Sequence, residues 1–148
     1  MSRYYTERDY TAMRDATTFE EMLSIAYGVI ERMPEPVAMV SGPISTGGLG
    51  DKMANIAVFH RVIARLVSEG VNVFDQMPME EHFWRIMEDR SYYRGQGDHL
   101  LETFYGALLD SGLVSTVYMI PGWRGSYGAT WEHDRAVRNG LGIVYLAA

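Results

Sequence analysis

The chain has 148 residues, a formal net charge of −6 and a hydrophobic content of 47%. This length suits a single domain, and the apolar content is sufficient for a core without disulfides or structural metal ions. The absence of cysteine excludes a disulfide scaffold and a thiol nucleophile, and the negative charge argues against binding of nucleic acid polymers.

The chain carries no recognisable signal for a membrane or for secretion. No segment reaches the ~18 consecutive apolar residues that a membrane helix requires, and the amino-terminal sequence is polar and aromatic, unlike a signal peptide. We therefore expect a cytoplasmic protein without a membrane partner.

Residues 1–35 are expected to form an extension ahead of the main domain. Residues 1–16 are polar and tyrosine-rich, which indicates an arm or short helix that docks on the domain or on a partner subunit. A helix is predicted to begin at the segment 17–21, which has a capping threonine and two glutamates, and to end before Pro34 and Pro36.

A strand–loop–helix–strand unit follows. The apolar run 37–40 predicts a buried strand, residues 41–50 a glycine-rich loop, residues 52–69 a helix and residues 71–74 a second strand. This order predicts parallel pairing with a right-handed crossover. The apolar helix residues expected largely on one face are Met53, Ile56, Ala57, Ile63, Ala64 and Val67.

The second half of the chain continues the alternation of helices and strands. We predict helices over 79–94, 98–110 and 129–139, strands over 114–120 and 142–146, and a loop over 121–128. Residues 36–148 are therefore expected to form an α/β domain of the three-layer Rossmann-like or flavodoxin-like kind. Its sheet should be mainly parallel, with about four to five strands.

The two glycine-containing loops are the candidate walls of a binding site. In an open parallel sheet, ligands bind at the carboxyl ends of the strands, where both loops begin. The first loop combines glycines with the hydroxyls of Ser45 and Thr46, and the helix after it offers free N–H groups to an anion. It has neither a Walker triplet nor the dinucleotide fingerprint, so a purely structural turn explains the glycines equally well.

The arginines available for a small phosphate are Arg85, Arg90, Arg94, Arg124, Arg135 and Arg138.

Glu132 lies near the start of the last predicted helix, shortly after the second loop. A carboxylate in the first turn of a helix tends to stay ionised, because the helix N-terminus favours negative charge. An ionised carboxylate suits a nucleophile better than a general acid. The same position is typical of a glutamate that only stabilises a helix start, so both interpretations stay open.

The histidines do not indicate a metal centre. No pair has the i, i+4 spacing with a flanking carboxylate of a helical zinc site, and no serine-hydrolase elbow is present. His133 adjoins Glu132, but its side chain should point about 100° away around the helix. We therefore expect no metal and no cofactor.

Two motifs resemble the nucleoside 2-deoxyribosyltransferase-like superfamily, in particular a small branch found in phage and bacterial genomes and related to 2′-deoxynucleoside 5′-phosphate N-hydrolases. The first motif consists of Ser41, Gly42, Pro43 and Ile44, followed by Asn55, Phe59, Leu66, Gly70, Val73 and Phe74. The second consists of Pro121, Gly122, Trp123, Ser126, Gly128, Ala129, Glu132, His133 and Ala136. Together they cover roughly residues 37–146.

The resemblance implies cleavage of the N-glycosidic bond of a deoxynucleoside or its 5′-monophosphate, by hydrolysis or by deoxyribosyl transfer. It assigns Glu132 as the nucleophile and Ser126 as a contact of the 5′-phosphate, which favours a phosphorylated substrate and hydrolysis. It also implies a homodimer or higher homo-oligomer. The residues that it implies for substrate binding are Ser41, Gly42, Pro43, Ile44, Gly47, Gly48, Trp123, Ser126 and Gly128.

The chain departs from this superfamily at two positions. Relatives usually carry an aspartate where this chain has Ser115 and Thr116, and often an acidic residue at the position of Leu108, with Asp110 two places away. A non-catalytic nucleotide-binding or sensing module on the same fold is therefore the alternative hypothesis.

Overall fold

The computed structural model describes residues 2–44, 47–95 and 98–147, and it confirms an α/β fold with a parallel sheet between layers of helices. The α-helices are α1 (Glu7–Asp15), α2 (Phe19–Glu31), α3 (Lys52–Ser68), α4 (Glu80–Glu88), α5 (Ala107–Asp110) and α6 (Tyr127–Arg138). The strands are β1 (Val37–Ser41), β2 (Asn72–Val73), β3 (Val114–Met119) and β4 (Gly142–Tyr145). A π-helix spans Leu101–Gly106, and 3-10 turns span Met77–Met79 and Trp123–Gly125.

The sheet has the strand order β2-β1-β3-β4, and the pairings of β1 with β2, of β1 with β3 and of β3 with β4 are all parallel. All five residues of β1 are buried, as expected for a central strand covered on both faces. Val40 packs with α3 on one face, whereas Val37 and Met39 belong to the large cluster built with α1, α2 and α4 on the other. β2 lies on one side of β1 and β3 on the other, so the direction in which successive strands are added to the sheet changes at β1 and β3. In open α/β sheets, ligands bind at this point.

The amino-terminal extension forms two helices that pack into the main core. Thr18 caps α2 by accepting a hydrogen bond from the backbone N–H of Glu21, which confirms the predicted helix start. Met13, Phe19 and Met22 are fully buried in the same cluster as β1. The arm therefore docks on its own domain, and residues 2–35 are an integral layer of the fold.

The predicted apolar face of α3 was correct for Ile63 and wrong for Met53. Asn55, Phe59, Ile63 and Leu66 are the buried residues of this helix, whereas Met53 is 69% exposed. The reason is that Asn55 is needed inside, where its side chain binds the backbone of the glycine-rich loop, and this sets the rotation of the helix.

Two other predicted helices differ in their bounds. The segment predicted as one helix over 79–94 ends at Glu88, and the segment predicted over 98–110 contains the π-helix Leu101–Gly106 before α5. Within the described part of the chain, no helix is long and apolar enough to cross a membrane.

Tyr5 anchors the arm to the end of β2. Its ring stacks on Phe74 with 6.4 Å between the ring centroids, and its hydroxyl donates a hydrogen bond to the carbonyl of Asp75. The Ser2 hydroxyl donates to the carboxylate of Asp75 at 2.7 Å. Burial raises the pKa of Tyr5 well above its ordinary value, so the phenol stays a donor at all ordinary pH values.

Replacing Tyr5 with phenylalanine is expected to lower the free energy of unfolding by about 1–2 kcal/mol, because the Asp75 carbonyl loses its partner while the ring packing is kept. Urea unfolding of the variant and the wild type measures this difference. The matched control is Tyr4→Phe in the same arm, because the Tyr4 hydroxyl has no hydrogen-bond partner among the described residues. Equal losses of stability in both variants would contradict this role of Tyr5.

Candidate functional site

A cavity of about 340 Å³ opens at the carboxyl end of β1. Its volume lies at the lower end of the ~300–1,000 Å³ typical of small-molecule sites. Its walls come from the loop after β1, the turn before α4, α4 itself, the π-helix and the start of α6. The lining residues are Gly42, Ile44, Phe59, Gln76, Glu80, Trp84, Met87, Tyr93, Leu100, Leu101, Tyr105, Ser126, Tyr127, Gly128, Ala129 and Glu132.

Glu132 projects into this cavity from α6, in the second turn of the helix. Burial of its carboxyl group raises its pKa to about 8. The neighbouring Ser41 hydroxyl opposes this rise, and the carboxyl of Glu80 adds to it. The expectation that the helix N-terminus keeps Glu132 ionised was therefore wrong, because the dipole effect fades beyond the first turn and desolvation outweighs it.

Glu80 supplies a second carboxyl group to the same cavity. It is the first residue of α4, and burial raises its pKa to about 7, against a smaller lowering by Tyr105 and Lys52. The Tyr105 hydroxyl donates to Oε1 of Glu80 at 3.4 Å. Two carboxylates in one poorly hydrated cavity repel each other, so Glu80 and Glu132 lose their protons in two coupled steps. Between the first and the second step, the pair holds about one proton.

Three buried polar atoms at this cavity have no hydrogen-bond partner among the described residues. They are Oγ of Ser41, Oε1 of Gln76 and Nε1 of Trp84. Gln76 is held in place because its Nε2 donates to the Val40 carbonyl at 2.8 Å, which leaves the oxygen free. Ser41 adjoins Glu132 and Trp84 adjoins Glu80, which leaves the Gln76 oxygen as the acceptor without a neighbour among the described residues. Buried polar groups are nearly always satisfied, so this free acceptor indicates a ligand that satisfies it.

Position 42 requires glycine because the ends of β1 and β3 lie very close to each other here. A Cβ on Gly42 would lie 2.7 Å from the Cβ of Ile120, closer than such atoms come in proteins. Ser126 caps α6 by accepting a hydrogen bond from the N–H of Ala129 at 3.2 Å. These two local features bring the end of β1 and the start of α6 together, and thus Ser41 next to Glu132.

The π-helix forms the wall opposite β1. Leu101 and Tyr105 both line the cavity from this element. A Cβ on Gly106 would lie 2.9 Å from the Trp131 ring, so glycine allows α6 to pack directly on the π-helix. Single π turns are rare and occur frequently at functional sites.

The structure brings together only part of the predicted site. Gly42, Ile44, Ser126, Gly128 and Glu132 line the cavity, and Ser41 lies beside Glu132. Ser45 and Thr46 fall outside the described residues.

Four residues predicted to bind substrate are not part of the cavity lining. Pro43 and Gly48 lie on the other side of the loop, in a shallow groove with Asn55. Gly47 packs against the backbone of Gly125. Trp123 turns away and stacks on His133 with 4.2 Å between the ring centroids.

The charged residues considered from the sequence lie elsewhere. None of the six candidate arginines is among the described lining residues, and two of them have other partners. Arg85 donates to the carbonyls of Met13 and Ala16, and Arg135 binds Asp110 through two hydrogen bonds. Asp110 is therefore a partner of α6 rather than the second carboxylate of the site.

Glu80, Gln76, Trp84 and Tyr105 are the site residues that the sequence reasoning missed. Gln76 and Glu80 follow β2, at the same edge of the sheet as the end of β1, and this position was an available signal. Tyr105 had none, because it reaches the cavity from a π-helix that the sequence predicted as an ordinary helix. Ser115 and Thr116, the positions at which the chain departs from the superfamily that it resembles, lie at the opposite, amino end of β3.

A second cavity of about 350 Å³ lies between the arm, α3 and β2. Asp75 binds Ser2 and Tyr5 there. Among the described residues, no unpartnered buried atom borders it. We therefore take the cavity with the two glutamates as the candidate active site.

Comparison of the chain with models of protein families, with curated proteins and with solved structures finds no match. The superfamily resemblance therefore stays a prediction. The function has to be inferred from the residues and the geometry of the cavity.

Proposed function

We propose that this protein cleaves the N-glycosidic bond of a 2-deoxynucleoside or its 5′-monophosphate through a covalent intermediate on Glu132. The observation that carries the proposal is the pairing of Glu132 with Glu80 in one cavity that also holds unpartnered hydrogen-bonding atoms. Glycosidic bonds are cleaved by pairs of carboxyl groups, one of which is a nucleophile or base and the other an acid.

The first step of the proposed reaction forms an ester. The Glu132 carboxylate attacks the anomeric carbon, the bond from that carbon to the base nitrogen breaks, and its electron pair leaves with the base. Protonated Glu80 donates its proton to the departing base, so the base leaves neutral. Water, deprotonated by Glu80, then attacks the anomeric carbon and releases the sugar with a free Glu132; a second base in place of water gives transfer.

The polar atoms around the pair suit a heterocyclic base. The free Oε1 of Gln76 accepts a hydrogen bond and Nε1 of Trp84 donates one, as recognition of a base edge requires. Met87, Tyr93 and Leu100 add apolar walls to the same cavity. The sugar and its 5′ end would then face Gly42 and Ser126 at the start of α6, where backbone N–H groups favour an anion.

Chromatography of free bases tests the proposal directly. The purified protein is incubated with a panel of 2′-deoxynucleosides, their 5′-monophosphates and the matching ribonucleotides. We expect release of at least one base from the deoxy series, and the preference between nucleoside and monophosphate identifies the substrate class. No base release from any member over hours, with or without a second base as acceptor, would overturn the proposal.

Replacing Glu80 with glutamine is expected to lower turnover about 100-fold, because the variant cannot donate or accept the proton. The loss of kcat/KM, which reports the first step, should be much smaller for a deoxyriboside with 4-nitrophenolate as leaving group, because this group departs without protonation. Equal losses for both substrates would contradict the role of Glu80 as the acid. Glu81→Gln is the matched control, since the Glu81 side chain is 83% exposed.

One observation favours the alternative, a non-catalytic nucleotide-binding module. Burial raises the pKa of Glu132 to about 8, which favours the protonated form of the proposed nucleophile near neutral pH. A binding module has no need of an ionised Glu132. An increase in Tm with deoxynucleotides, together with no base release, would establish this alternative.

A further inference from the structure

We infer that Lys52, seated on the ring of Trp84, biases the proton shared by the two cavity carboxyl groups away from Glu80. Nζ of Lys52 lies 3.6 Å from the centroid of the Trp84 ring, which is a close cation–π contact. Trp84 lines the cavity one helical turn after Glu80. The ammonium group is thus held on the part of the cavity wall that also carries Glu80, whose pKa it lowers.

Among the described residues, Lys52 is the only positively charged group that shifts the pKa of Glu80. From the π-helix Tyr105 faces Glu80 as a neutral donor, from α6 Glu132 faces it as a second acid, and from its own helix Trp84 faces it as a neutral donor. Arg85, on α4, is engaged instead with the carbonyls at the end of α1.

The environment of Glu132 differs in this respect. Among the described residues, the side chains that shift the pKa of Glu132 are those of Ser41 and Glu80. Neither is positively charged. The Lys52 charge therefore favours ionised Glu80 and leaves the proton on Glu132. This is the arrangement opposite to that required for attack by Glu132, so Lys52 restrains the site until a substrate changes the balance.

The kinetic part of this role rests on the proposed function. Lys52→Met removes the charge and keeps an unbranched side chain on the Trp84 ring, so the pKa of Glu80 should rise towards that of Glu132. The fall of kcat/KM at high pH, where Glu80 loses its proton, should then shift upward by about half a pH unit or more. Lys52→Arg keeps both charge and ring contact and should leave the profile unchanged.

Carboxyl titration by NMR tests the role without any substrate. Protein labelled with ¹³C at the glutamate carboxyl carbons is titrated from about pH 5 to about pH 10, and the two signals are assigned with Glu80→Gln and Glu132→Gln. In Lys52→Met the Glu80 midpoint should rise by about half a unit or more, and Lys52→Arg should restore it. Lys52→Gln is a second neutral variant, in case Lys52→Met does not fold.

The outcomes separate this role from the proposed function. A raised Glu80 midpoint without base release by any variant would support the role of Lys52 and contradict the proposed reaction. Identical midpoints in wild type and both neutral variants would overturn the role of Lys52, whatever the turnover. A general loss of turnover in Lys52→Met and Lys52→Arg alike, with no shift of midpoint or pH profile, would show a merely structural role and overturn it as well.

Discussion

Replacing Glu132 with glutamine is expected to abolish release of the base, with a loss of about 1,000-fold or more, because the amide cannot form the ester intermediate. Glutamine has nearly the size of glutamate and keeps a group for the Ser41 hydroxyl, so the cavity should keep its shape. Binding should therefore survive the loss of turnover. Chromatographic base release and the increase in Tm with added substrate measure the two effects separately.

The matched control for this prediction is Glu102→Gln. Glu102 lies on the π-helix beside the cavity wall but is exposed and does not line the cavity. It should release base at the wild-type rate. Wild-type turnover in Glu132→Gln would remove Glu132 from the reaction, whereas equal losses in both variants would indicate indirect damage.

Stability should fall as pH rises from about 5 to about 9. The pKa of Glu132 is about 8 and that of Glu80 about 7 in the folded protein, both above the ordinary value of 4.5. Between these limits the folded state binds more protons than the unfolded state, so the free energy of unfolding decreases with pH. The decrease should reach several kcal/mol for the pair, because each unit of pKa difference between the folded and unfolded states is worth about 1.4 kcal/mol.

Urea unfolding at several pH values measures this slope. Glu132→Gln and Glu80→Gln should each flatten it, and at about pH 9 each should be more stable than the wild type, because a buried charge has been removed. Glu81→Gln, on the exposed side of α4, should keep the wild-type slope. Asp110 does not interfere, because Arg135 and Asn139 lower its pKa to about 2, and its contribution is lost only at acid pH. A wild-type slope in both cavity variants would contradict the burial of the pair.

Together these predictions describe a site that is maintained at the expense of stability. Glu132→Gln should be inactive and, above neutral pH, more stable than the wild type. Such a trade-off is expected where function needs partly desolvated carboxyl groups. A variant that is both inactive and less stable at about pH 9 would instead indicate that Glu132 has a structural role.

The sequence was sufficient for the order of the elements and for part of the site. The apolar run at Val37–Val40, the crossover to β2 and the Thr18 cap are encoded locally, so periodicity and capping predict them. Gly42 was found because it follows the carboxyl end of a strand. Glu132 was noted near the start of a helix, but only the superfamily resemblance assigned it to the site. In a parallel sheet, both positions face the same crevice.

What lies in the cavity was decided by tertiary structure. Glu80 and Tyr105 reach Glu132 only because α4 and the π-helix fold over the end of β1, contacts between segments far apart in the chain. The raised pKa values depend on the same contacts, because desolvation comes from neighbours that no local pattern specifies. The sequence by itself therefore determined the sheet and the place of the site. Only the packing of the helices decided which side chains meet there and which carboxyl group holds the proton.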